Sequence, residues 1–441
     1  MTIQLPEKVK YIIDTLIANG FDAYAVGGCV RDSILNRDPD DWDITTSALP
    51  WQVKSLFRRT VDTGIQHGTV TVMLEKDGFE VTTYRIDGEY NDSRHPKEVI
   101  FTPNLLEDLK RRDFTINAMA YNDKIGIVDE FDGIKDLQRR IIRCVGDPAE
   151  RFQEDALRIM RAIRFSAQLG YTIEENTRNA IKKSASTLRN ISPERIQTEL
   201  VKLVISDFPY LLKDAYETGV TSVILPEFDR MMQTSQNNPH HQYTVGEHSL
   251  HAMEQVQKDK ILRLGMLFHD IGKPDTKSTD KNGTDHFYRH AVIGKEIVKK
   301  VLRRLKFDND TIHKVTQIVL YHDCDVELTP RGVRRAIAIV GADIFPSLFL
   351  IKRADILAQS TYHQQQKLDD LATLQILYKN EMEKKNCVSL KTLAVTGKDL
   401  IDAGMLPGKE LGDTLNELLT LVIDHPEYNT KEYLIKRAFH Q

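Results

Sequence analysis

Residues 23–46, AYAVGGCVRDSILNRDPDDWDITT, decide the fold of the N-terminal part of this chain. A β-like run, AYAVGG (23–28), ends in a glycine pair. Val30-Arg31-Asp32 follows, and nine residues beyond Asp32 stands Asp41-Trp42-Asp43, opening a second β-like run, DWDITT (41–46). Side chains two apart on a strand point to the same face, so Asp41 and Asp43 are expected side by side. Two carboxylates held that way suit Mg²⁺, a hard cation that takes one or two carboxylates together with phosphate oxygens. Glycine lets the backbone approach a polyphosphate closely, and Arg31 offers a planar fork to phosphate oxygens. For Asp-x-Asp alone, a solvated acidic loop is the better reading; the combined pattern favours a phosphate-handling site.

Two further runs, GTVTVML (68–74) and FEVTTYR (79–85), have strand character. The apolar positions Val9, Ile12, Ile13, Leu16 and Ile17 mark an amphipathic helix that stops at Asn19-Gly20. Residues 1–145 are therefore predicted to be an α+β head with a mixed sheet, and everything after them all-α. A neck is expected over 146–235, with helical periodicity throughout 151–205. That stretch holds ten Lys/Arg against six Asp/Glu, a local +4 inside a 441-residue chain of net charge −4. The polar, Pro-containing QTSQNNPHHQ (233–242) is the predicted boundary before a histidine-rich body (243–365) and a helical tail (366–441). With 41% hydrophobic and 28% charged residues, the composition excludes a disordered or collagenous chain. No apolar run is long enough for a transmembrane helix, the N-terminus lacks a secretory pattern, and four scattered cysteines argue for reduced thiols. Cytoplasmic location is the expectation, with no membrane partner; self-association stays open.

Two downstream segments complete a pattern: Arg111-Arg112-Asp113-Phe114-Thr115-Ile116-Asn117-Ala118-Met119 and Glu154-Asp155-Ala156-Leu157-Arg158-Ile159-Met160-Arg161-Ala162-Ile163-Arg164. In the order GGCVRD, DWD, RRDFTINAM, EDALRIMRAIRF, ISPERIQTEL, the chain resembles the tRNA nucleotidyltransferase / poly(A) polymerase family, specifically the bacterial CCA-adding type. The resemblance implies Mg²⁺ on catalytic Asp41 and Asp43, and nucleotide contacts from Gly28, Arg31 and Arg112. It implies that Asp155 and Arg158, on one helical face with Arg161 and Arg164, select the base. Partners are then tRNA, ATP and CTP. The chemistry agrees: a carboxylate accepts from the exocyclic amine of C or A, whereas U and G would set a carbonyl against it, at a cost of about 1–3 kcal/mol per unpaired group. The segment from Arg85 to Pro96 resembles the family's flexible loop, which favours adding the terminal A. Addition of A alone and poly(A) synthesis remain the alternatives within the family.

The histidines after residue 240 form a second pattern. His248, adjacent His269-Asp270 and Asp355 resemble the ligand set of HD phosphohydrolases, with His290 and His322 as a possible second metal position. Imidazole with carboxylate suits Ni, Mn, Co or a similar transition metal, and Lys273 could hold a phosphate oxygen. An HD phosphohydrolase with a nucleotide-binding head is the rival from another class. His251 and the pair His240-His241 are expected on the surface. The tail stretch 395–419, with Gly404-Met405-Leu406-Pro407-Gly408 between helices, is expected to help grip tRNA.

Overall fold

Strand β1 (Ala23–Val26) is buried at all four positions, as a central strand must be. The computed structural model describes residues 2–87 and 99–439. Around β1 run β2 (Ile44–Thr46), β3 (Thr60–Gly64), β4 (Thr69–Leu74) and β5 (Asp77–Thr83). A separate two-strand ladder pairs β6 (Arg85–Asp87) with β7 (Val99–Phe101), and β8 (Ala120–Asn122) and β9 (Gly126–Val128) return to the main sheet. Its order is β3-β4-β5-β2-β1-β8-β9; only β2 and β5 pair in parallel, so the sheet is mixed as expected. Helix α1 (Glu7–Ala18) buries Val9, Ile12, Ile13 and Leu16. At roughly 1.5–3 kcal/mol per buried aliphatic side chain, packing rather than propensity holds a helix this short.

Helices α2 (Gly28–Ile34), α3 (Pro50–Leu56), α4 (Leu105–Lys110) and α5 (Gly133–Arg139) complete the head. The neck follows with α6 (Pro148–Glu154), α7 (Leu157–Leu169), α8 (Glu175–Ser184) and α9 (Pro193–Val204). The helical reading of 151–205 is corrected at two points. Asp155 is extended (φ −141°, ψ 104°) and its Oδ1 accepts the Leu157 N–H at 2.9 Å. A short carboxylate serves better as a cap than inside a helix, so EDALRIMR is two helices, and the single face expected to carry Asp155, Arg158, Arg161 and Arg164 is broken at Asp155. Thr172–Ile173 is a short strand parallel to Ile141–Ile142.

The chain packs as two compact units, Met1–Pro226 and Glu227–Gln441. In the second, Lys260–Phe268 is the central helix, covered by Val245–Glu254, Asn309–Tyr321 and Phe345–Ala358, and His290–Arg304 packs on Asn309–Tyr321. The polar stretch 233–242 lies in this unit: Gln236 is buried and its Oε1 accepts from Lys273 Nζ at 2.8 Å. In the tail, Cys387, Leu400, Leu418, Val422 and Leu434 share a small core. There Gly397–Asp402 and Lys409–Asp424 flank the Gly404–Gly408 turn as a helix hairpin, with Leu406 80% exposed at its tip.

Candidate active site and a buried histidine–aspartate cluster

Antiparallel pairing builds the head site. Ala25 lies opposite Ile44, and the Val26 N–H donates to the Asp43 carbonyl at 3.0 Å. The glycine end of β1 therefore meets the Asp41–Asp43 segment. That segment leads into β2 rather than belonging to it, since the strand begins at Ile44. Trp42 turns to a different cleft, lined by residues of the N-terminal segment 2–7. Parallel pairing sets Ile44 opposite Val81, which brings Glu80 beside Asp43. Burial, and then the charges of Asp43 and Asp41, push the Glu80 carboxyl up. Asp43 is also raised, by burial foremost, against the pull of Arg112 and with the help of Asp41. Three carboxylates thus repel one another, and among the described residues no ion pair relieves them. Such a donor set fits a hard divalent cation. Glu80 was missed in the sequence; the signal was a lone acid in the otherwise apolar and Thr-rich run FEVTT.

Arg112 is aimed by a buried anion. Asp108 is fully buried, binds Arg111 at 2.8 Å and Arg112 at 3.5 Å, and takes the Thr45 hydroxyl at 3.2 Å. The Arg112 Nε is buried without a hydrogen-bond partner, a donor left for a ligand. The backbone demand for glycine falls on Gly27, not Gly28. Gly27 has φ +83°, and a Cβ there would sit 2.9 Å from Arg112 Nη1. Gly27→Ala should therefore lower stability by about 1–2 kcal/mol through left-handed strain and displace Arg112. Thermal melting together with a raised KM for nucleotide checks this; an unchanged KM would show that Arg112 does not meet the triphosphate.

Arg31 is buried, and its donors go to Asn117 Oδ1 (2.7 Å) and Asp32 (2.8 and 2.9 Å). The fork expected at a phosphate is thus engaged within the protein. Arg31, Arg161 and Arg164 stand around the Phe165 ring at 5.1, 5.3 and 4.1 Å from its centroid. Arg161 pairs with Asp113 at 2.6 Å, and Arg164 lies 3.1 Å from Glu199. Burial, and then Arg161, bring Arg164 down to about 10. Arg158 binds Glu154 and donates to the Arg111 carbonyl at 2.8 Å. Asp155, besides capping α7, takes Arg195 Nη2 on Oδ2 at 2.7 Å. Residues 88–98, most of the loop expected to govern A addition, lie outside the described residues.

In the second unit, His248, His269, Asp270, His290, His322 and Asp355 converge from five segments. The Nδ1 atoms of His248, His269, His290 and His322 meet the carbonyls of Ala358, Met266, Phe287 and Val319 at 2.7–3.3 Å. A carbonyl only accepts, so Nδ1 carries a proton in each ring and each Nε2 points inward, the atom left to meet a metal. His248 Nε2 lies 2.8 Å from Asp355 Oδ1, His269 Nε2 3.2 Å from Asp270 Oδ2, and His290 and His322 face each other at 3.2 Å. His290 and His322 lie 3.4 and 3.6 Å from Asp270 Oδ1. Asp270 therefore stands between two triads, His248–His269–Asp270 and Asp270–His290–His322, each able to hold a metal.

His269 Nε2 and Asp270 Oδ1 are buried without hydrogen-bond partners. Burial alone would depress His269, yet Asp270 and Asp355 raise it to about 10. The cluster calls for positive charge. Lys273 supplies part of it at 2.7 Å from Asp270, and is committed there. Gly272 permits the crowding, since a Cβ would overlap the His290 carbonyl. A cleft of about 350 Å³ opens over the cluster, and His241 lines it. The surface reading of His241 is thus corrected: its ring is 5.5 Å from His248, and burial, then Lys273, press it down to about 3.

Comparison with known proteins settles the family. Residues 23–143 match the poly A polymerase head domain, 170–232 the "Probable RNA and SrmB- binding site of polymerase A", and 287–438 tRNA nucleotidyltransferase domain 2. The CCA-adding enzyme of Lactobacillus helveticus is 37% identical over 429 residues, 97% of this chain and 96% of the relative. That of Levilactobacillus brevis is 36% identical over 432 residues, again 97% and 96%. The chain belongs to the CCA-adding enzyme family. Its fold is similar to the crystal structure of the Bacillus stearothermophilus CCA-adding enzyme in complex with CTP, with TM-score 0.74, 29% identity, and 99% and 98% of the two chains covered. Membership makes this CCA-adding family chain a nucleotidyltransferase. The matched stretches leave 233–286 between them, and this interval carries His248, His269 and Asp270. Among the described residues, no helix is long and apolar enough to cross a membrane.

Proposed function

We propose that this chain adds C, C and A to the 3′ end of tRNA, taking CTP and ATP, in the cytoplasm. The observation that carries the reading is the meeting of Asp41, Asp43 and Glu80 with Arg112 at the mouth of β1, β2 and β5. The 3′-hydroxyl oxygen bonds the α-phosphorus, the bond to the β-phosphate oxygen breaks, the hydroxyl proton is released and pyrophosphate leaves. Mg²⁺ held by Asp41 and Asp43 would favour the ionised hydroxyl and offset charge on the leaving group. Arg112 directs its unpartnered Nε to a phosphate oxygen. Asp155 accepts the exocyclic amine of C or A, and Arg158 donates to the base. The +4 neck and the tail hairpin supply contacts to the tRNA backbone, so affinity falls steeply with salt. Transcripts ending before C74, C75 and A76, each incubated with each NTP, test the reading. Extension of all three supports it; extension of the CC-ended transcript alone establishes A addition instead.

A second activity is favoured by the orphaned His269 Nε2 and Asp270 Oδ1 inside a ring of inward-pointing Nε2 atoms. In this reading His248, His269, Asp270 and Asp355 hold a transition metal such as Ni²⁺, Mn²⁺ or Co²⁺, with His290 and His322 completing a second position. A metal held there would acidify a bound water toward neutral pH. The substrates proposed are terminal or 2′,3′-cyclic phosphates, which would block nucleotide addition.

A further inference from the structure

The motif ISPERIQTEL (191–200) belongs to the family pattern but has so far been given no role. Its Arg195 lies in the first turn of α9 and reaches Asp155, the residue between α6 and α7. Asp155 is not held by a helix, so its carboxylate plane depends on what binds it. Two groups do: the Leu157 N–H on Oδ1 at 2.9 Å and Arg195 Nη2 on Oδ2 at 2.7 Å. One turn further along α9, Glu199 faces Arg164 of α7 at 3.1 Å, so two charge pairs tie α9 to α7. Arg195 is also incompletely used: its Nη1 is buried and has no hydrogen-bond partner.

We propose that Arg195 is a positioning residue for base selection, holding the Asp155 carboxylate so that its one open direction on Oδ2 meets an exocyclic amine. The proposal rests on Asp155 reading the base. An oxygen of a carboxylate has two lone pairs. With one on Oδ2 taken by the guanidinium and the plane fixed by Leu157, the acceptor direction left on Oδ2 is fixed. A freely turning carboxylate could swing away from the O4 of U or O6 of G and lose the repulsion that rejects them.

The test compares CTP with 2-pyrimidinone ribonucleoside triphosphate, which lacks the 4-amine, as substrates for the full chain on a tRNA transcript. Arg195→Met should lower kcat/KM for CTP by about tenfold, in the range of coupling between contacting residues, and for the amine-less analogue by less than about twofold. The CTP/UTP preference should shrink by a similar factor. In an Asp155→Ala background, Arg195→Met should cause no further loss with CTP. Arg195→Lys keeps one charged donor but not the fork, and should recover part of the CTP rate; it serves as the readout if the methionine variant melts early. Equal losses with CTP and the analogue, or losses additive with Asp155→Ala, would mean that Arg195 only braces α9, and would overturn the proposal. A different result marks failure of the underlying reading: if Asp155→Ala alone leaves both the CTP/UTP and CTP/analogue ratios unchanged, Asp155 does not read the base and the role of Arg195 falls with it.

Discussion

Asp43→Ala is expected to abolish incorporation of both CMP and AMP, by at least about 10³-fold, while leaving the fold intact. The two halves of that expectation have separate causes. The fold needs the main chain of Asp43, whose carbonyl receives the Val26 N–H, and alanine retains that bond. Among the described residues the side chain closes no ion pair; it stands next to Asp41 and Glu80 and is raised by its surroundings. Removing it relieves repulsion, so the melting temperature should stay the same or rise slightly. In the proposed function the chemistry loses a carboxylate on which every step would depend, because C and A would be joined at one site. Gel analysis of extended transcripts and thermal melting of the same preparation check both halves. A folded variant that still adds nucleotides at near the wild-type rate would remove Asp43 from the reaction.

How far such a site can be read in advance depends on whether its parts are neighbours in sequence. Asp41 and Asp43 are, and β1, β2 and the amphipathic α1 follow from local pattern alone. Glu80 is not: it joins them only because β5 lies parallel to β2, a pairing that no local periodicity encodes. Strands β3, β8 and β9 escaped notice for a related reason. The first lies at the sheet edge and is exposed along its middle, and the other two are three residues long, too short to show alternation. The break at Asp155 was visible in principle, since Asp caps helices more readily than it sits inside them. The resemblance to an unbroken helical face hid it. Cys29 and Cys144, read as free thiols, are free and buried, and burial pushes them up to about 11 and 12. His241 was misjudged because one histidine of a tandem pair turns inward while its neighbour meets Tyr362.

Asp270→Ala should abolish metal binding and any phosphoesterase activity of the second unit, and leave nucleotide addition within about twofold of wild type. Asp270 is the one residue shared by both candidate metal triads. Its Oδ2 faces His248 and His269, and its Oδ1 faces His290 and His322. Among the described residues, no other side chain belongs to both triads. Alanine also strands Lys273, whose buried ammonium would lose its anion, a loss of about 3–5 kcal/mol. Asp270→Asn keeps the volume and a hydrogen-bonding oxygen near Lys273, and separates loss of metal from loss of fold. Elemental analysis after loading with Ni²⁺, Mn²⁺ or Co²⁺ should find metal in the wild type and none in either variant. Chelation should lower the melting temperature of the wild type alone, because a ligand bound only to the folded state stabilises it. Hydrolysis of a 2′,3′-cyclic nucleotide should survive Asp43→Ala and vanish in Asp270→Asn. Nucleotide addition should be spared because Asp41, Asp43, Glu80, Arg112 and Asp155 all belong to the unit 1–226, and the cluster to 227–441. If no metal is found and none of the three supports hydrolysis, the converging lone pairs hold only protons, and the second unit serves as scaffold for the tail.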